Sequence, residues 1–205
     1  MGSTRDEKKA ELKTRLIEAA EAEIISEGLS GLKARAVTAR AGCALGALYN
    51  AVEDLDMLVL HVNSRTIARL GAALQEVAPA EAEDPRAALQ ALAARYAEFA
   101  VAERPLWLAL FEHRLGAGRE VPEWHRQEHA VLLEVILPHL ARLRPDLDRA
   151  ALGLRARTTF AAVHGVVHLA LQGRFVGVPM ADLQSEIAGL VETLTAGADH
   201  LAVRG

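Results

Sequence analysis

Among its 205 residues the chain has a single cysteine, Cys43, so an intrachain disulfide is excluded, and a lone thiol is most simply a small apolar side chain. Prolines number only 7 and aromatic residues 4%, and β-branched runs are scarce, which argues against a sheet built from short strands. No long hydrophobic run is present. The most apolar stretch, Phe160 to Leu171, is interrupted by His164, Gly165 and His168, too short and polar to span a bilayer. Without an apolar N-terminal segment resembling a signal peptide, a cytoplasmic location with no membrane partner is the expectation. The chain also lacks a G-x-S-x-G elbow, a phosphate-cradling glycine loop and a dinucleotide fingerprint, so neither enzyme activity nor a cofactor is expected.

What is present favours helices. Hydrophobic residues make up 51% of the chain, enough to bury a sizeable core in one or two domains, and Ala, Leu, Glu and Arg dominate. An all-α protein of about nine helices follows. The net charge of −4 is unevenly spread: residues 1–51 carry eight basic against seven acidic side chains, and all four lysines, Lys8, Lys9, Lys13 and Lys33, fall there.

The stretch from Gly28 to Leu58 carries the most information. Val37 with Ala41, and Leu45 with Leu48, give two short helices an apolar face each. Gly42 lies between them, where a turn favours a residue that tolerates positive φ. From Gly31 to Ala51 the only charges are Lys33, Arg35 and Arg40, all positive, as a phosphate backbone would require. Two helices about a glycine turn form the reading unit of many DNA-binding proteins. The particular residues Gly28, Ala41, Gly42, Gly46, Leu48 and Tyr49 resemble the N-terminal helix-turn-helix domain of the tetracycline-repressor (TetR) family, and the resemblance runs from a helix at about Asp6–Glu27 to Leu58.

That resemblance implies a three-helix DNA-binding domain over residues 1–53 and a helical ligand-binding and dimerisation domain over residues 54–205. It also implies duplex DNA, a small-molecule effector and a second copy of the chain as partners, and a regulator, usually a repressor, released from a palindromic site. The DNA-contacting residues expected are Lys33, Arg35, Arg40, Ala44, Leu45, Gly46, Ala47, Tyr49 and Asn50. Asn50 has the amide that pairs with adenine in the major groove, Tyr49 suits phosphate, and Gly46 and Ala47 permit close approach of the backbone. The sequence departs from the family pattern at several places. Leu32 or Lys33 stands where a Ser or Thr usually caps the second helix. Leu45, Ala47, Val52 and Leu55 replace polar, cationic or aromatic family residues. Those losses imply DNA affinity that is weaker or spread onto other residues, and they motivate an alternative: a helical small-molecule or metal-binding dimer with a degenerate reading head.

Beyond Tyr49 six further helices are expected, at about 54–77, from Asp84 and Pro85, from Pro105, at 122–143 with a bend at Pro138, at 147–172 and at 181–203. Leu183, Ile187, Leu190 and Leu194 recur at four, three and four residues, a stripe suited to bundling, which the resemblance assigns to a dimer interface. Packing within one subunit is the other reading of the stripe. Tyr96, Phe99, Trp107, Phe111, Trp124 and Phe160 could line a pocket with His164 and His168, although for each aromatic taken singly a place in the core is the plainer reading. The Phe160-x-x-x-His164-Gly165 segment is similar to a Trp-x-x-x-His-Gly signature of one class of TetR-like C-terminal domains.

Two histidine pairs, His125 with His129 and His164 with His168, have the i, i+4 spacing of metal ligands. If their helices met, four nitrogens could converge, yet no cysteine or acidic cluster joins them, and structural histidines with no bound metal are the expectation. His125-Arg-Gln-Glu128-His129 also fits the H-x-x-E-H string of inverted zinc peptidases, which would further need Glu186 or Glu192 as a ligand.

Overall fold

The computed structural model describes residues 3–116, 118–173 and 175–196, all helical or loop, with no strand among them. In chain order the helices are α1 (Ser3–Glu27), α2 (Ala34–Arg40), α3 (Leu45–Val52), α4 (Leu55–Val77), α5 (Pro85–Ala102), α6 (Arg104–Glu112), α7 (Glu123–Glu128), α8 (Val131–Glu134), α9 (Leu137–Leu143), α10 (Arg149–Leu171) and α11 (Leu183–Ala196). A 3-10 turn, Leu29–Gly31, joins α1 to α2. The all-α class is as expected, and the count rises from nine because the single helix expected over 122–143 is three. The last break falls where Pro138, lacking an N–H, can only begin a helix, and it occupies the first turn of α9. The last expected helix is described to Ala196; its continuation to residue 203 lies outside the described residues. No described helix is long and apolar enough to cross a membrane.

Several boundaries follow from local chemistry. Gly28, at φ 72°, ends α1, its N–H bonded to the Ile24 carbonyl at 2.9 Å. Asp148 caps α10 by accepting from the Ala151 N–H at 2.8 Å. Pro105 sits in the first turn of α6, the position where a missing N–H costs nothing.

The chain forms two compact units, residues 1–68 with 103–128, and residues 69–102 with 129–205. The first unit is larger than the 1–53 domain expected. Its core joins Leu16, Ala20 and Ile24 of α1, Val37 of α2 and Leu48 and Val52 of α3 to Leu58 and Val62 of α4 and Leu106 and Ala109 of α6. The physical reason is coverage: α2 and α3 are too short to cover the apolar sides of α1 and of each other, and α4 and α6 close them. Asn63 Nδ2 donates to the Ala109 carbonyl at 3.4 Å, linking α4 to α6. The loop after α6 is tied to the start of α4: Arg119 reaches Asp54 at 2.6 Å and Asp56 at 3.3 Å, and His113 Nε2 meets Asp56 at 3.2 Å.

In the second unit α11 packs on α5 and α10, and α9 packs on α5 and α10. Leu183 and Ile187 are 2% and 1% exposed, so these two of the four residues expected at a dimer interface pack inside the subunit, together with Val191. Leu190 and Leu194 are half-buried. The face of α10 away from its buried side carries Leu154, Thr158, Ala161 and Gly165 at intervals of four, three and four residues, and Leu154 is 65% exposed.

Candidate nucleic-acid interface and ligand cavity

The geometry of the first unit fixes one face of α3 outward. Leu48 and Val52 anchor its inner side at 0% and 5% exposure, which leaves Leu45, Gly46, Tyr49 and Asn50 facing solvent and Ala47 half-buried between. Gly42, at φ 67°, makes the turn from α2, and its Cβ-free backbone meets no strain there. Lys33 occupies the cap position of α2 without a side-chain hydrogen bond, as the missing Ser or Thr implied, and Ala44 at the cap of α3 makes none either. The first N–H groups of α3 therefore have no side-chain acceptor from the cap residue. A Cβ added at Gly46 would meet nothing within 4 Å, so the fold itself does not require glycine there.

The expected cations are placed differently from one another. Lys33 and Arg35 are exposed at the start of α2. Arg40 is exposed as well, but its Nε donates to Glu23 Oε1 at 2.7 Å, so part of its charge is already paired. α3 carries no formal charge. Beside it, two adjoining depressions are lined by α1 residues outside the set expected from the sequence: Arg5, Lys8, Lys9 and Leu12 with Ala47, Asn50 and Ala51, and Lys9 and Lys13 with Tyr49, Asn50, Met57 and His61. Asp6 and Glu53 are the acidic members of these walls. The signal for them lay in the sequence: Arg5, Lys9 and Lys13 are four residues apart and share one side of α1. His61 stacks on Trp124 at 5.2 Å, and burial, with Lys13 nearby, holds its pKa below the usual histidine range.

The second unit contains a small apolar cavity of about 40 Å³ that opens to the surface. Leu74, Leu89, Leu92, Leu132, Ile136 and Val163 form most of its wall, and the polar groups on it are Tyr96 and Thr159. Of the eight residues expected to line a pocket, Tyr96 and Phe160 do so. His164 stands behind them, its Nδ1 2.8 Å from the Tyr96 hydroxyl and its ring stacked on Phe160 at 5.7 Å, and His168 stacks on His164 at 5.5 Å. Burial, then the neighbouring His168, pushes the His164 pKa down to about 4, so the imidazole is neutral near pH 7 and Nδ1 accepts from the tyrosine when its proton sits on Nε2. Phe99 is buried in the same unit but away from the cavity wall. Trp107, Phe111 and Trp124 belong to the first unit: Trp107 packs on Phe111 at 5.0 Å, and Trp124 on His61.

The histidine pairs do not form a metal constellation: among the described residues no three His, Cys, Asp or Glu side chains converge. His125 is buried, 3.4 Å from Glu128 and edge-on to Trp124, and it falls in the first unit, whereas His129, His164 and His168 fall in the second. Glu128 accepts a hydrogen bond from Ser64 Oγ at 2.6 Å. Glu186 and Glu192 are exposed on α11.

Comparison with known proteins adds a family. Residues 89–194 match the profile described as "Tetracyclin repressor-like, C-terminal domain". No curated protein sequence matches. Among solved structures, a protein of unknown function from Rhodococcus sp. RHA1 is similar at 26% identity, with 91% of this chain and 94% of that one covered and a TM-score of 0.68. A TetR transcriptional regulator from the same organism is 19% identical over 91% and 97% of the two chains, with a TM-score of 0.61. RolR, solved with resorcinol as ligand, is 20% identical over 98% and 97%, with a TM-score of 0.62. At such identities the last two likenesses concern the fold.

Proposed function

Because the chain belongs to the tetracyclin-repressor-like (TetR) family of transcriptional regulators, we propose that it is a dimeric DNA-binding regulator, a repressor that a small molecule releases from a palindromic operator. The observation that carries this reading is the outward face of α3, where Leu45, Gly46, Tyr49 and Asn50 are presented by a helix anchored through Leu48 and Val52. Asn50 reads adenine, Tyr49 contacts phosphate, and Lys33, Arg35 and the unpaired part of Arg40 neutralise the backbone on either side. Two copies related by a two-fold axis then read the two halves of a palindrome.

The effector site is the cavity of the second unit. Its wall offers aliphatic side chains and two hydroxyls, at Tyr96 and Thr159, and no formal charge, which suits an uncharged and largely apolar molecule with one hydrogen-bonding group. Binding there favours one arrangement of the helices over another, and release of DNA is the resulting population shift. The effector's chemical identity beyond that class is a matter for screening. Association uses the outward face of α10, with Leu154, Thr158, Ala161 and Gly165, and α11 beside it.

Fluorescence-anisotropy titration of DNA from upstream of the protein's own gene, with a scrambled duplex alongside at two salt concentrations, tests the reading. Salt-sensitive binding that prefers the native duplex is expected. Binding to neither duplex at low salt would overturn it in favour of a second reading, a helical small-molecule-binding dimer whose head no longer reads DNA. The uncharged α3 and the missing caps are the observations behind that alternative.

A further inference from the structure

We propose that the groove between α1 and α3 is a phosphate-binding site in which Lys8, Lys9 and Lys13, together with Arg5, grip the DNA backbone bordering the major groove. This inference rests on the DNA-binding reading above and adds residues outside the helix-turn-helix. Three observations carry it. First, the recognition helix has no charge of its own, and between Gly31 and Ala51 one of three cations, Arg40, already pairs with Glu23. Duplex DNA presents one negative charge for about every 1.7 Å of its axis, so a reading head held by Lys33 and Arg35 alone leaves most nearby phosphates unneutralised.

Second, the missing cations are adjacent. Three of the four lysines in the chain line the depressions that Asn50 and Tyr49 also line, so a base-reading side chain and the α1 ammonium groups share one wall. Lysine stems span several ångströms and present point charges that follow a backbone without demanding one geometry. Third, the helical register separates the charges. Arg5, Lys9 and Lys13 fall on one side of α1, with Lys8 beside Leu12 at the margin, whereas Glu7 and Glu11 fall on another side. Asp6 and Glu53 are the acidic side chains on the groove walls, so four cations oppose two anions. Because contacts to phosphate carry no base information, the clamp adds affinity without adding sequence preference.

The test uses the full-length chain and a duplex selected by the parent protein from a random-sequence pool, with a scrambled control, titrated across a salt series. Lys8, Lys9 and Lys13 are replaced together by Gln in one variant and by Arg in another, and Asn50→Ala serves as the reference for base reading. In the Gln variant the slope of log affinity against log salt falls by about 0.9 for each phosphate no longer neutralised, and affinity for both duplexes drops about tenfold or more at 0.1 M salt. The preference for the selected duplex stays as in the parent, and the Arg variant restores the slope. Asn50→Ala has the opposite signature, loss of preference with the slope kept. A Gln variant with parental slope and affinity, or one that loses preference instead, overturns the clamp while the DNA reading stands. A parent protein from which no preferred duplex is selected overturns the reading and the clamp with it.

Discussion

A single imidazole shows how placement sets chemistry in this molecule. His164 stands between Tyr96 and His168 and has its pKa depressed from 6.5 to about 4, so the folded chain binds fewer protons than the unfolded chain between those two values. Stability therefore rises with pH across that window, and the contribution is lost as pH falls from 6.5 toward 4. His61, His113 and His139 have pKa values lowered by burial as well and act in the same direction. Replacing His164 by Gln keeps a hydrogen-bonding partner for Tyr96 and removes the titration. Urea midpoints at pH 5 and pH 7.5 should differ less in the variant than in the parent, and equal differences would show that His164 titrates as in an open chain. Gly46 makes a second residue-scale case. Because a Cβ there meets nothing, Gly46→Ala should leave the urea midpoint unchanged or slightly raised, since alanine is the better helix former. DNA affinity should fall if the backbone approaches phosphate at this point, and parental affinity would remove that role.

At the scale of elements, α6 joins α4 in completing the core of the helix-turn-helix. Leu106, 1% exposed, packs with Leu16, Leu48 and Leu58 in one cluster. Leu106→Ala should cost about 2–5 kcal/mol of stability, through reduced burial and the cavity left behind, as read by denaturant unfolding. For the same reason a fragment of residues 1–53, deprived of Leu58, Val62, Leu106 and Ala109, should show little cooperative unfolding by circular dichroism. This partnership was not legible in the sequence. The period of Leu106 and Ala109 reveals an apolar face but not the surface it meets. Helix ends were legible at Gly28, Pro85 and Pro105, which act locally through positive φ or a missing N–H, whereas the Asp148 cap of α10 was not singled out. The α3 face was legible only in part: the spacing of Leu45 with Leu48 put both on the apolar side, whereas the buried pair is Leu48 with Val52 and Leu45 is 38% exposed. The cavity was not: its wall is mostly aliphatic, and aliphatic residues mark core and pocket alike. The aromatic residues are no better guide, since Trp107, Phe111 and Trp124 pack in the other unit.

On the proposed function the whole molecule would read a palindrome only as a pair, so association is the property on which that proposal stands or falls. Leu183 and Ile187, however regular their spacing, are already buried by their own subunit and have no surface left to offer. The outward face of α10 has. Gly165 sits in that face, and a Cβ there touches nothing of its own subunit within 4 Å. In an isolated subunit Gly165→Leu should therefore be harmless, and even favourable by the roughly 1 kcal/mol that glycine costs a helix interior. If a second copy packs closely against Gly165, the added side chain holds the two helices apart. Sedimentation equilibrium should then give the monomer mass for Gly165→Leu and twice that for the parent, with helical content unchanged. DNA binding should weaken steeply, because each subunit must now find its half-site alone. A variant that keeps the parental mass would move the interface away from α10, and a parent that sediments as a monomer would leave a palindromic operator without a reader.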